Sequence, residues 1–145
     1  GILDFNQYIN KFEKFLKNSK NFSLPYFNIL NHPTQTYSKK HLKFKKKISK
    51  IIEDYQNKFD KSSKKKLSIC FGWTAAVMEI LEKKIDVIHI CSDPLTESFN
   101  KEIWSSLEVK KIDNFILKYK LLSHSKYINF GKRKNLLKNC LKDIK

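Results

Sequence analysis

The sequence predicts an α/β fold with a parallel sheet flanked by helices, and three observations carry that prediction. Two apolar runs, LSICF at 67–71 and KKIDVIHIC ending at Cys91, have the length and composition of strands buried on both faces. Between them, residues 73–83 are apolar nearly all round, as in a helix packed against a sheet. The order strand, helix, strand then defines a βαβ unit, which favours parallel strands joined by a right-handed crossover. Related patterns on either side extend this unit to a single Rossmann-like domain over residues 1–145, centred on the strand-turn-helix segment SICFGWTAAVMEIL at 68–81.

The other elements follow in chain order. Phe5, Tyr8, Ile9, Phe12, Phe15 and Leu16 recur at helical spacing, with Asp4 as N-cap and Gln7 in the capping-box position, so a helix is expected over about 4–19. Pro25 precedes the apolar run YFNIL at 26–30, read as a short buried strand closed by Asn31-His32-Pro33. From Ser38, the residues Phe44, Ile48, Ile51, Ile52, Tyr55 and Phe59 form one stripe of a long helix over 38–59, and most lysines lie off that stripe. Beyond the central unit, a helix is expected over 97–106 and a short edge strand at VKKI, 109–112. Closing helices are expected over 113–123 and 132–143.

Composition limits the function classes. A chain of 145 residues suits one ordinary core, and 41% apolar with 13% aromatic residues argues against wholesale disorder despite a formal charge of +16. No apolar stretch approaches the ~20 residues that span a bilayer, and residues 1–20 read as an amphipathic helix rather than a signal peptide, so a cytosolic location is expected. Cys70, Cys91 and Cys140 cannot all pair, and the first two fall in strands, where reduced core thiols are expected.

The positive charge flanks the middle of the chain. Residues 38–66 carry +9 and residues 110–145 carry +9, whereas residues 67–109 carry −4. Only Arg133 among the thirty basic residues is arginine, which disfavours base reading by bidentate contacts. The bland reading of the lysine cluster at 38–66 is a solvated helix face; the alternative is a binding patch for an anionic partner.

In open α/β sheets, ligands bind where strands end and loops meet helix N-termini. Two such points are predicted here: Asn31-His32-Pro33-Thr34, and Gly72-Trp73-Thr74-Ala75. Gly72 lets the backbone approach a phosphate, and the helix that follows presents N–H groups and a favourable dipole. Thr74 is either a phosphate ligand or a plain helix cap. Glu79 either accepts from ribose hydroxyls or is an ordinary exposed helix residue, and Trp73 is either a stacking platform or a core residue. His32 either holds and protonates a phosphate or is a structural turn histidine, and His89 reads as a satisfied core histidine. The four histidines and the cysteines lack metal-ligand spacing, so no metal is expected. There is no GxGxxG, Walker A or GxSxG pattern.

The text ILNHPTQT, followed after about forty residues by ICFGWTAAVMEIL and then IDVIHIC, resembles the C-terminal, nucleotide-binding half of GT-B glycosyltransferases. The likeness is to bacterial sialyltransferases and Kdo transferases of capsule and lipooligosaccharide synthesis, and it spans about residues 26–112. In those enzymes a His-Pro pair follows one strand and a Ser-Ser or Ser-Thr pair opens a later helix. The resemblance implies that His32, in the His32-Pro33 pair, holds the donor phosphate and assists nucleotide departure, and that Thr74 with nearby backbone N–H groups in Gly72-Trp73-Thr74 forms the second clamp. Here Trp73-Thr74-Ala75 offers one hydroxyl where the family has two.

It further implies a CMP-sugar donor used without a metal, and a separate N-terminal Rossmann-like domain that supplies the catalytic carboxylate. The chain opens on Gly1 rather than Met, consistent with a fragment or a processed form, and a fragment of a two-domain enzyme, inactive alone, is the expectation. Two rival classes stand beside this one. One is a basic nucleic-acid-binding module built on the helix at 38–59. The other is a non-catalytic α/β domain that docks on a partner or on the anionic inner-membrane surface.

Overall fold

Asp4 starts the first helix because its carboxylate accepts the Gln7 backbone N–H at 2.8 Å while the Gln7 side chain takes the Asp4 N–H at 2.8 Å. That capping box satisfies two backbone donors that a helix start leaves open. The resulting helix α1, Phe5–Asn18, buries Ile9, Phe12, Phe15 and Leu16 and stops at Ser19, whose hydroxyl donates to the Leu16 carbonyl at 2.6 Å. The computed structural model describes residues 4–19, 24–25, 29, 38–72, 74–92 and 107–122. Two compact units make up the chain, Leu3–Lys66 and Leu67–Lys145, the second also including Gly1 and Ile2.

In the first unit, Ser38 caps helix α2, Lys39–Asp54, by accepting the His41 N–H, and α2 buries Ile48, Ile51 and Ile52. The rings of Phe5 and Phe44 lie 4.9 Å apart between centroids, joining α1 to α2. The expected helix to Phe59 is too long. Tyr55 N–H is shared between the Ile51 and Ile52 carbonyls, a tightening that leads into a single 3-10 turn at Gln56–Lys58. Phe59 is buried not on the helix stripe but in strand β2, Phe59–Asp60, paired in parallel with β1, Leu24–Pro25. Of the strand expected at 26–30 only Ile29 is described, half-buried; the rest of it lies outside the described residues, as do His32 and Pro33.

The second unit is α/β, with a mixed four-stranded sheet. Strands β3, Leu67–Phe71, and β4, Asp86–Ile90, are parallel in unbroken register from Leu67 opposite Asp86 to Phe71 opposite Ile90. Helix α3, Ala76–Glu82, connects them and inserts Val77 and Leu81 into a core of Cys70, Val87, Cys91, Leu107, Leu117 and Tyr119. Cys70 and Cys91 are free thiols buried there, as expected; Cys140 lies outside the described residues. The βαβ step is continued by a hairpin of β5, Leu107–Asp113, and β6, Ile116–Leu121, in the order β3-β4-β6-β5.

The edge strand expected at 109–112 lies within β5. The helix expected over 113–123 is instead β6, antiparallel to both β4 and β5. Asn114 and Phe115 make the two-residue turn: the Asn114 N–H bonds the Asp113 carboxylate at 2.7 Å, and Phe115 adopts φ 63°. Pairing β6 with β4 then buries Ile116, Leu117 and Tyr119 and satisfies a backbone edge that a helix there would leave open. The helices expected at 97–106 and 132–143 lie outside the described residues.

Helix α3 ends in a Schellman motif. Lys84 N–H bonds the Leu81 carbonyl at 2.9 Å, Ile85 N–H bonds the Ile80 carbonyl at 3.3 Å, and Lys84 itself sits at φ 57°. A side chain at that position has the left-handed penalty that glycine lacks. Lys84→Gly is therefore expected to raise the unfolding free energy by about 1 kcal/mol. A urea titration checks it, and a destabilised variant would show that the exposed lysine makes a compensating contact.

Candidate functional site

The parallel pair β3 and β4 ends side by side, and Gly72 leaves β3 at φ 69°, a conformation open to glycine at little cost. Both of its backbone groups are tied to β4: the N–H donates to the Ile90 carbonyl at 2.8 Å, and the carbonyl lies 2.6 Å from Nε2 of His89. Because a carbonyl only accepts, Nε2 must carry the proton. Nδ1 of the neutral ring is then the acceptor, and the Tyr119 hydroxyl, 3.0 Å away, donates to it. Sγ of Cys91 lies 3.4 Å from the same nitrogen.

This chain of contacts is buried: His89 is 1% exposed and Tyr119 0%. Burial pushes the His89 imidazole below its usual 6.5, opposed in part by the bond to the Gly72 carbonyl. The neutral ring is thus the form that fits the geometry. His89 is a hydrogen-bonded core histidine, and its partner is the turn that was singled out as a ligand site. Cys70, paired with His89 across β3 and β4, is pushed up to about 11 by burial, against the lowering effect of Ser68, so it stays a thiol and not a nucleophile.

Thr74 is not the helix N-cap. That position is Ala75, without a side-chain capping bond, and α3 begins at Ala76 rather than at 73. The Thr74 Oγ1 accepts the Ala76 N–H at 3.2 Å, a local turn bond that leaves the hydroxyl proton for another acceptor. Glu79, which the later start places in the first turn of α3, is exposed. A carboxylate there is favourable to the helix dipole, which accounts for its position without a ligand. Trp73, like His32 and Pro33, lies outside the described residues.

Gly72 and Thr74 therefore stand together at the carboxyl end of β3, with Glu79 farther along α3. Tyr119 escaped the sequence reading because its position was read as helical; the alternation of Leu117 and Tyr119 with Lys118 and Lys120 was the available signal. Among the described residues, no group of three or more His, Cys, Asp or Glu side chains could hold a metal ion. No helix among them is long and apolar enough to cross a membrane. Comparison with known proteins finds no matching family model, curated protein or solved structure.

Proposed function

We propose that the β3-α3-β4 unit belongs to the donor-binding domain of a glycosyltransferase that uses a CMP-activated sugar, sialic acid or Kdo, to extend a bacterial surface glycan. The observation that carries this reading is the Gly72 turn. A glycine at positive φ, fixed at both its N–H and its carbonyl, ends one of two parallel strands two residues before a threonine whose hydroxyl proton is given to no described residue. Such a turn lets backbone come close to a phosphate without a side chain intervening.

On this reading the sheet is the nucleotide-binding half of a GT-B enzyme, and His32 of the His32-Pro33 pair is a further ligand of the donor phosphate. The imidazole of His32 donates to the donor phosphate and protonates it as the nucleotide leaves. The roles assigned to Trp73 and Glu79 are stacking on the base and accepting from the ribose hydroxyls. A second Rossmann-like domain supplies the catalytic carboxylate and the rest of the cleft, so this chain alone binds the donor without turning it over. No metal is invoked: the clamp's own donors balance the phosphate charge.

The support is chemical and comes from the turn together with the order of the two motifs. Isothermal titration of the full chain with CMP, CDP and UDP tests the reading. CMP is expected to bind most tightly, and His32→Ala to weaken it by about tenfold, the loss of one charge-assisted hydrogen bond. Absence of binding by any of the three at millimolar concentration would sink the proposal.

A further inference from the structure

Helix α2 has its charge arranged against its own stability. The macrodipole favours acids in the first turn and bases in the last. In α2 the first turn holds no acid but carries Lys39 and Lys40, and the last turn holds no base but carries Glu53 and Asp54. Lysines also stand four apart at 39 and 43, 43 and 47, and 46 and 50, where like charges repel along a helix face. The neighbouring helix α1 follows the rule, with Asp4 at its N-cap and Lys17 in its last turn. The lysines of α2 are thus not accounted for by helix formation.

Their placement is regular. At about 100° per residue, Lys39, Lys43, Lys46 and Lys50 fall within about 60° of one another on the side opposite the buried Ile48, in a straight row about 16 Å long. All four are exposed, and none forms an ion pair with a described residue. Beside the row stands Leu42, 48% exposed. The row contains no Arg, Asn, Gln or aromatic side chain that could read or stack a base.

We propose that this face of α2 docks on an anionic phospholipid surface. A plane meets all four ammonium groups at once, and lipid headgroups ask only for point charges, which lysine supplies. The exposed Leu42 fits the boundary between headgroups and acyl chains and has no counterpart role on a phosphodiester backbone. The opposite face of α2 is committed to its own core, so the helix lies along the surface and does not insert. This inference concerns the Leu3–Lys66 unit and does not depend on nucleotide binding.

Vesicle sedimentation with the full chain tests it. Binding is expected to vesicles containing about one quarter phosphatidylglycerol, to be absent with phosphatidylcholine alone, and to be lost at about 0.5 M salt. Each lysine at the surface contributes on the order of a fivefold gain in partitioning. The K39Q/K43Q/K46Q/K50Q variant should therefore fall by on the order of a hundredfold or more, and the K43Q/K46Q variant by on the order of twentyfold.

The K61Q/K64Q/K65Q/K66Q variant loses the same charge from exposed positions outside the row and should fall far less. Relief of like-charge repulsion should leave the melting temperature of the row variant unchanged or raised, which separates lost docking from lost folding. Equal losses in the two quadruple variants would overturn the proposal, since general charge would then suffice. Tight binding of a single-stranded oligonucleotide that vesicles fail to displace would also overturn it, in favour of a nucleic-acid surface.

Discussion

Replacing His89 with alanine is expected to cost the Leu67–Lys145 unit about 3–5 kcal/mol, through a cavity in the core and two stranded polar groups. His89 lies inside the α3-facing layer of the sheet, opposite Cys70 on β3 and Leu117 on β6. Its loss removes the Nε2–H that the Gly72 carbonyl accepts at 2.6 Å and the Nδ1 acceptor of the Tyr119 hydroxyl at 3.0 Å. His89→Gln keeps an amide donor that reaches toward Gly72, so a smaller loss of about 1–2 kcal/mol is expected. Urea denaturation and amide exchange at Gly72 read both effects. A loss below about 1 kcal/mol in the alanine variant would show that water or repacking replaces the network.

The same residue sets a pH dependence whose sign follows from its depressed pKa. The folded form holds the proton more weakly than the unfolded chain, whose histidine titrates near 6.5. Below that value the unfolded state binds more protons, so stability falls as the pH drops and is fully present above it. The neighbouring side chains Tyr119 and Cys91 include no carboxylate to stabilise an imidazolium. Between pH 7 and 5, wild type should therefore lose stability faster than His89→Gln, by at most about 1.4 kcal/mol per pH unit. Parallel melting curves for the two proteins over that range would refute a neutral His89.

The sequence carried the central unit well because its signals are local. Lysines before Leu67 and Gly72 after Phe71 bound a strand-length apolar run, and the Asp4 and Gln7 pair names its own helix start. β6 was misread because its text serves two periods: Phe115, Ile116, Tyr119 and Leu122 fit a helical stripe, while Leu117 and Tyr119 alternate with Lys118 and Lys120. Pairing with β4, which no local window contains, decided between them. The Gly72 turn was legible as a turn, but its support was not. His89 is 17 residues from Gly72 and 30 from Tyr119, so the network exists only once the sheet order is fixed.

Gly72→Val is expected to cost about 2 kcal/mol or more and to abolish nucleotide binding, which joins the fold of this turn to its proposed use. At φ 69° a β-branched side chain collides with its own backbone, so the turn must change shape or the strand end must move. Either response pulls on both anchors, the N–H bonded to Ile90 and the carbonyl bonded to His89. Gly72→Ala separates the two consequences. A methyl group at this φ costs about 1–2 kcal/mol, leaving a folded population to titrate, yet it projects where a phosphate would approach the backbone. CMP affinity should fall by about tenfold or more in the alanine variant, while its far-ultraviolet circular dichroism stays that of wild type. If the folded alanine variant bound CMP as wild type does, the phosphate would have to sit elsewhere, and Gly72 would be a glycine kept for its φ angle alone.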